Sequence, residues 1–161
     1  MGDPQAFVVR TATPDDRPAL TKLWAEIMEE RAVMDVRVTL TDDAPAQWAS
    51  MLDIWITSEE TVVLVADKQT KIIGYAIGMI RERPLYHYQQ RVGIIHDLGV
   101  DGHAHQGGVG TALLQAITPW FKDQDIDLVE STIMHLHPMA QAFWRANGAA
   151  EVMTTFWHRL K

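Results

Sequence analysis

The run Gln106-Gly107-Gly108-Val109-Gly110-Thr111 follows a β-branched segment and precedes an apolar segment of helical period. Glycines bring backbone N–H groups close to an oxyanion, and a helix start adds unpaired N–H groups and a dipole worth about 0.3–1 kcal/mol per favourable charge. A phosphate-bearing ligand is the chemistry such a turn serves. Two common versions do not match, because Gly108-x-Gly110 lacks the third glycine of the dinucleotide fingerprint and no Gly-Lys-Ser/Thr follows as in a P-loop. Histidines cluster around the run. His96 stands beside Asp97 just upstream, and imidazole, titrating at about 6.5, suits proton transfer at neutral pH. His103-x-His105 and His135-x-His137 have the spacing of paired zinc ligands. No sequence-local carboxylate completes a ligand set, so no metal is expected.

The elements that must position these residues follow from periodicity and breakers. Residues 7–10 read as a strand, and Thr13-Pro14-Asp15-Asp16 as a helix start with Thr13 as N-cap. Leu20, Leu23, Trp24, Ile27 and Met28 give that helix an apolar stripe to about residue 32. A loop over 36–43 leads to a second helix, 44–58, with Trp48, Met51, Leu52 and Trp55 on one face. Residues 61–66 and 71–80 form a hairpin about a turn at 67–70, and 92–100 is a further strand. A helix over 108–122, a strand at 128–133, a helix at 139–146 ended by Asn147-Gly148 and a last strand at 152–160 complete the order βααβββαβαβ. Between the second and third strands of this set, Tyr86, His87 and Tyr88 read as a solvated hairpin end.

With Asp97-Leu98-Gly99-Val100, then His105 to Gly110, then Thr111-Ala112-Leu113-Leu114, the chain resembles the GNAT acetyltransferase superfamily. Its hallmark is Arg/Gln-x-x-Gly-x-Gly/Ala between a strand ending in Val and a long helix, and His105 is the one departure. The resemblance runs from the first strand to the late Ala140-x-x-Phe143-Trp144-x-x-x-Gly148-Ala149. It implies an α/β (mixed α+β) acyl-CoA N-acyltransferase fold. The central sheet would be mixed, mostly antiparallel, flanked by helices and splayed between the fourth and fifth strands.

Acetyl-CoA would then be the co-substrate. Its pyrophosphate would take N–H bonds from Gln106, Gly107, Gly108, Val109 and Gly110 and the Thr111 hydroxyl, with His105 a polar contact nearby, while Leu98 and Val100 pair with the pantetheine. The Val100 N–H would face the developing oxyanion. His96 takes the place of a catalytic carboxylate in polyamine acetyltransferases, with Asp97 as the second candidate base. Strand alternation sends Asp97 to the opposite face from His96 unless a bulge intervenes. Where many members carry an acidic tyrosine this chain has Trp144, whose indole has no dissociable proton near neutrality, and His137 replaces the usual asparagine. Thiolate would leave to water or take a proton from His137; Trp144 would pack or stack near the coenzyme. An N-acetyltransferase working by direct attack in a ternary complex is the implied activity, and a catalytically silent acyl-CoA sensor the alternative.

Composition bounds these readings. The 161 residues fit one domain, 1–161, with 47% apolar and 22% charged residues and no cysteine. Disulfides and thiolate chemistry are excluded, and a formal charge of −7 argues against a nucleic-acid partner. No apolar run approaches the roughly 18 residues of a membrane span, and no leader pattern precedes residue 7, so a cytoplasmic protein is expected. The acidic balance, with Glu29, Glu30, Asp35, Asp42 and Asp43 around residues 34–43, suits a small cationic amine acceptor. Polyamines, amino acids, aminoglycosides and protein amines stay open, as does a homodimer.

Overall fold

The computed structural model describes residues 7–160; the side chains of His105 and Gln106 lie outside the described set. Five strands form one sheet in the order β1-β2-β3-β4-β5. They are β1 (Val8–Thr11), β2 (Thr61–Lys68), β3 (Lys71–Glu82), β4 (Arg91–Val100) and β5 (Val129–Ser131). The first four are antiparallel to their neighbours, and β5 joins β4 in parallel. The hairpin expected at 67–70 is present. Its turn residues Gln69 and Thr70 both take positive φ, and the Asp67 carboxylate accepts from the Thr70 N–H at 2.9 Å.

Helices cover both faces, as their apolar stripes require. On one face α1 (Arg17–Met34) and α2 (Ala44–Thr57) bury Leu20, Leu23, Trp24, Ile27, Leu52 and Trp55 against Val63, Val65, Tyr75 and Ile77. Trp24 stacks on Trp48 with ring centroids 5.2 Å apart. On the other face α3 (Val109–Asp123) places Val109, Leu113, Ile117 and Phe121, one per turn, against Leu64, Ala66, Ala76 and Ile95. Four such side chains contribute about 1.5–3 kcal/mol each. The approach is close because Gly78 and Gly93 lie beneath the helix; a Cβ on Gly93 would stand 2.6 Å from the Phe121 ring. The short α4 (Pro138–Ala146) follows β5.

The ladder between β3 and β4 contains a bulge. Ile77 pairs with Asp97 and Gly78 with Ile95, so His96 is the extra residue. Bulges bend a strand and increase its twist. The parallel ladder of β4 with β5 runs from Gly93↔Val129 to Ile95↔Ser131 and stops there. β4 therefore parts from β5 at His96, which gives the sheet the split expected between the fourth and fifth strands.

Three expectations need correction. The fifth strand is three residues rather than 128–133, because its ladder ends where the bulge turns β4 away. Residues 152–160 form no strand: none of the described residues pairs with them, and a strand is defined by its partner. The first helix also starts differently, with a 3₁₀ turn (Pro14–Asp16) before α1.

That start is tied to the sheet by Asp16. Its carboxylate accepts two hydrogen bonds from the Arg10 guanidinium at 2.8 Å and one from the Thr13 N–H at 2.7 Å. Arg10 also bonds Asp67 at 2.9 Å. The Arg10 guanidinium holds the Asp16 carboxyl down at about 2, from an ordinary 3.8. A depressed folded pKa stabilises the fold above the unfolded pKa and loses that contribution as pH falls through the folded one. Asp16→Asn should lower Tm at neutral pH and flatten the fall in Tm between pH 4 and 2, measured by thermal melts across that range.

Candidate active site

Beyond Ile95 no strand of the described residues lies beside β4 on the β5 side, and residues 96–100 border the split. Leu98 and Val100 turn their side chains to the α3 face, packed at the edge of that core. Behind them the chain enters a 3₁₀ helix (Gly102–Gly107), and Gly108, at φ 71°, starts α3. That left-handed conformation is one a glycine adopts without strain. The N-cap of α3, Gly108, has no side chain to cap the helix, and N–H groups of the first turn point out of the N-terminus. Gly107 and Gly108 are exposed there, Val109 is buried as a core anchor, and Gly110 and Thr111 are half-buried.

The 3₁₀ segment is fixed by Asp101. Its backbone N–H donates to the Ile73 carbonyl at 2.9 Å, and its carboxylate accepts from the His103 N–H at 2.9 Å and from Lys71 Nζ at 2.8 Å. The Lys71 ammonium, then the His103 N–H, hold the Asp101 carboxyl down at about 2. The His103 ring is solvent-exposed, 3.1 Å from the same carboxylate.

Gly110 brings a third element in. A Cβ there would stand 3.2 Å from the Phe143 ring of α4 and 3.7 Å from Leu98, so β4, α3 and α4 meet at this glycine. From the sequence Phe143 reads, like Trp144, as helix core packing or as stacking near the coenzyme, and it lies over the α3 N-terminus, beside the candidate site. Trp144, next along, lies edge-on to Phe143, packs at the edge of the α3-side core and lines a cavity of about 230 Å³ with Ile95, Leu114, Ile117 and Val129. His137 caps α4: its Nδ1 accepts from the Ala140 N–H at 3.2 Å. A neutral imidazole that accepts at Nδ1 carries its proton on Nε2.

The bulge settles the relation of the two candidate bases. Asp97 lies opposite Ile77, on the α1–α2 face, and His96 reaches the same face, its ring 5.0 Å from that of Trp55. Their environments differ. Asp97 is mostly buried, accepting from the Tyr75 hydroxyl at 2.7 Å and from Arg31 at 3.0 Å. Burial, and then the Asp97 charge, push the Tyr75 hydroxyl well above its ordinary value, so it stays a donor. His96 is exposed at the split. The structure thus brings His96, Leu98, Val100 and the residues from Gly107 to Thr111 around one opening. His105 and Gln106 fall within the same turn, their side chains outside the described residues.

On the α1 side, Glu26, Glu29 and Glu30 line a cavity of about 540 Å³ together with Asp101, Lys71 and His103. Of the other acidic residues singled out around the loop, Asp35 is taken up by Arg37 at 2.6 Å. Tyr86 and Tyr88 are fully solvated between β3 and β4. Among the described residues no group of three or more His, Asp or Glu side chains is arranged to hold a metal, and no helix is long and apolar enough to cross a membrane.

The model of the acetyltransferase (GNAT) family matches residues 21–149. The chain belongs to that family. Solved structures share its fold across nearly the whole chain. The BH1408 protein of Bacillus halodurans, as its tetramutant, is 24% identical with a TM-score of 0.84, covering 95% of this chain and 99% of that one. The aminoglycoside 6'-N-acetyltransferase AAC(6')-IG of Acinetobacter haemolyticus is 16% identical with a TM-score of 0.76, over 96% and 98%. AAC(6')-Iy, in complex with the bisubstrate analog CoA-S-monomethyl-acetylneamine, is 16% identical with a TM-score of 0.74, over 97% and 99%. No curated protein matches the sequence.

The network at Asp97 has a consequence for stability. Asp97→Ala leaves a half-buried guanidinium and a fully buried phenol without their acceptor, so unfolding in urea should show a loss of about 2–4 kcal/mol. His96→Ala, at an exposed position, should cost about 0.5 kcal/mol.

Proposed function

We propose that the protein transfers the acetyl group of acetyl-CoA to the amine of a small cationic acceptor, by direct attack in a ternary complex. One observation carries this reading: β4 opens from β5 at His96, and the opening leads to the uncapped, glycine-lined start of α3. Membership of the acetyltransferase family supports the reaction class, and the bisubstrate analog bound to AAC(6')-Iy supports coenzyme A as one substrate.

In this reading the pyrophosphate takes the backbone N–H groups from His105 to Gly110 and the Thr111 hydroxyl, where the helix dipole favours negative charge. The pantetheine follows β4 past Leu98 and Val100, whose N–H faces the carbonyl oxygen. The amine nitrogen attacks the thioester carbon; the C–N bond forms, the carbonyl electrons move to oxygen and return as the C–S bond breaks. The proton lost by the amine goes to His96. Asp97 is not the base, since Tyr75 and Arg31 occupy its oxygens. The leaving thiolate takes a proton from water; His137 is not its acid, because a ring whose Nδ1 accepts from the Ala140 N–H is neutral and losing its Nε2 proton would leave an imidazolate. The acidic cavity beside α1 attracts a cationic amine and, at a formal charge of −7, so does the whole molecule. Trp144 favours a second reading, an acyl-CoA sensor without turnover, because it offers no acid at the position where the family resemblance expects tyrosine.

Calorimetric titration with acetyl-CoA, free coenzyme A and NAD, beside a thiol-release assay over polyamines, amino acids, aminoglycosides and lysine peptides, separates these. Binding with turnover supports the transferase, binding without turnover the sensor, and no binding removes both. Gly107→Val is the sharper probe of the phosphate turn. Among the described residues its Cβ would meet Val109 alone, at 3.9 Å, and its φ is not positive, so the fold should stand while acetyl-CoA affinity drops at least tenfold. Unchanged affinity would refute the turn. His96→Ala should lower kcat/KM about 10²-fold or more; an unchanged kcat/KM assigns the base elsewhere.

A further inference from the structure

Trp55 is buried near the end of α2, and its ring centroid stands 5.0 Å from that of the His96 imidazole, the two planes inclined at 60°. Among the described residues this is the only ring contact the imidazole makes, and neither of its nitrogens makes a hydrogen bond or ion pair. An exposed side chain with no other restraint spreads over its staggered rotamers. Trp55 itself is fixed. Trp48, two turns earlier on the same face of α2, meets it edge-on at 6.1 Å and stacks on Trp24 of α1 at 5.2 Å. Trp48 also meets Tyr75 edge-on at 5.9 Å, and the Tyr75 hydroxyl holds Asp97 at 2.7 Å. Two consecutive residues at the bulge, His96 through Trp55 and Asp97 through Tyr75, are thus braced from one tryptophan of the core.

We propose that Trp55 is a positioning residue for His96, holding the imidazole at the split with both ring nitrogens open to the acceptor. The inference rests on the transferase reading given above. A general base is commonly oriented by a third group hydrogen-bonded to it. The neighbouring carboxylate does not serve here, since Tyr75 and Arg31 occupy the oxygens of Asp97. Packing against a flat ring restricts the imidazole without engaging either nitrogen. Aromatic pairs have preferred geometries, so an indole specifies the orientation of the ring where an aliphatic side chain would leave it loose. A misplacement of about 1 Å near a reacting group can cost about 10²-fold in rate, so turnover is sensitive to such looseness.

The test takes as acceptor the amine that gives the fastest thiol release, and compares wild type, Trp55→Phe, Trp55→Leu, His96→Ala and the double variant Trp55→Leu/His96→Ala. Trp55→Leu should lower kcat about tenfold, with the KM for the amine and the Kd for acetyl-CoA unchanged. Trp55→Phe, which restores a ring, should recover most of that loss. In the His96→Ala background Trp55→Leu should lower kcat no further, because a residue acting through His96 has nothing left to act on. Equal losses in both backgrounds would overturn the proposal, and so would a raised amine KM at unchanged kcat, which makes Trp55 a wall of the acceptor pocket. Where Trp55→Leu does not fold, NMR of the wild type decides: nuclear Overhauser contacts between the His96 imidazole and Trp55 indole protons, assigned by their loss in His96→Ala, are expected, and their absence overturns the proposal. A wild type that turns over no amine removes the transferase reading and this inference with it. Turnover by the wild type, with kcat retained in folded Trp55→Leu, removes this inference alone.

Discussion

The extra residue at His96 is the constraint on which the site depends. An unbroken β4 would continue beside β5, with His96 and Asp97 on opposite faces and no opening between the strands. Inserting one residue into the ladder changes both at once. It turns the strand from β5 immediately after Ile95, and it returns Asp97 to the face where Tyr75 and Arg31 hold it. An ion pair to α1 and a hydrogen bond to β3 thus fix the residue next to the bulge, so the bend is set by the core under α1 and α2 rather than by the strand alone.

The other side of the site is governed by close approach. α3 can start at Gly108 because that residue adopts positive φ, and it can lie near β4 because Gly78, Gly93 and Gly110 present no Cβ. Its four buried side chains, from Val109 to Phe121, then fix its axis. Packing therefore directs the free N–H groups of the helix start toward the end of β4.

Much of this was legible in the sequence, for reasons that can be named. The stripe in α1, the hairpin and the turn from His105 to Gly110 followed by α3 are local patterns, and each formed where its residues predicted. What was missed is non-local or depends on a partner. Arg31 and Asp97 are 66 residues apart, and nothing near either one announces the pair. Phe143 reads as one more apolar helix residue until Gly110 is seen beneath it. Alternation gave the opposite faces for His96 and Asp97, and no residue type in Ile95-His96-Asp97 marks a bulge. Residues 152–160 have the composition of a strand and lack the neighbour that would make them one.

Charge divides the region around the end of β4 into two fields. The start of α3 offers the backbone N–H groups and the positive end of a helix dipole, which suits phosphate. The flank of α1 offers Glu26, Glu29 and Glu30, which repel phosphate and attract ammonium. Asp101 lies between them, and Lys71 and the His103 N–H neutralise its carboxylate, so it adds little repulsion toward an anion at the turn. An anionic coenzyme and a cationic acceptor would therefore be drawn to different sides of one strand end. In the proposed reading that separation would let both bind at once, as direct transfer in a ternary complex requires.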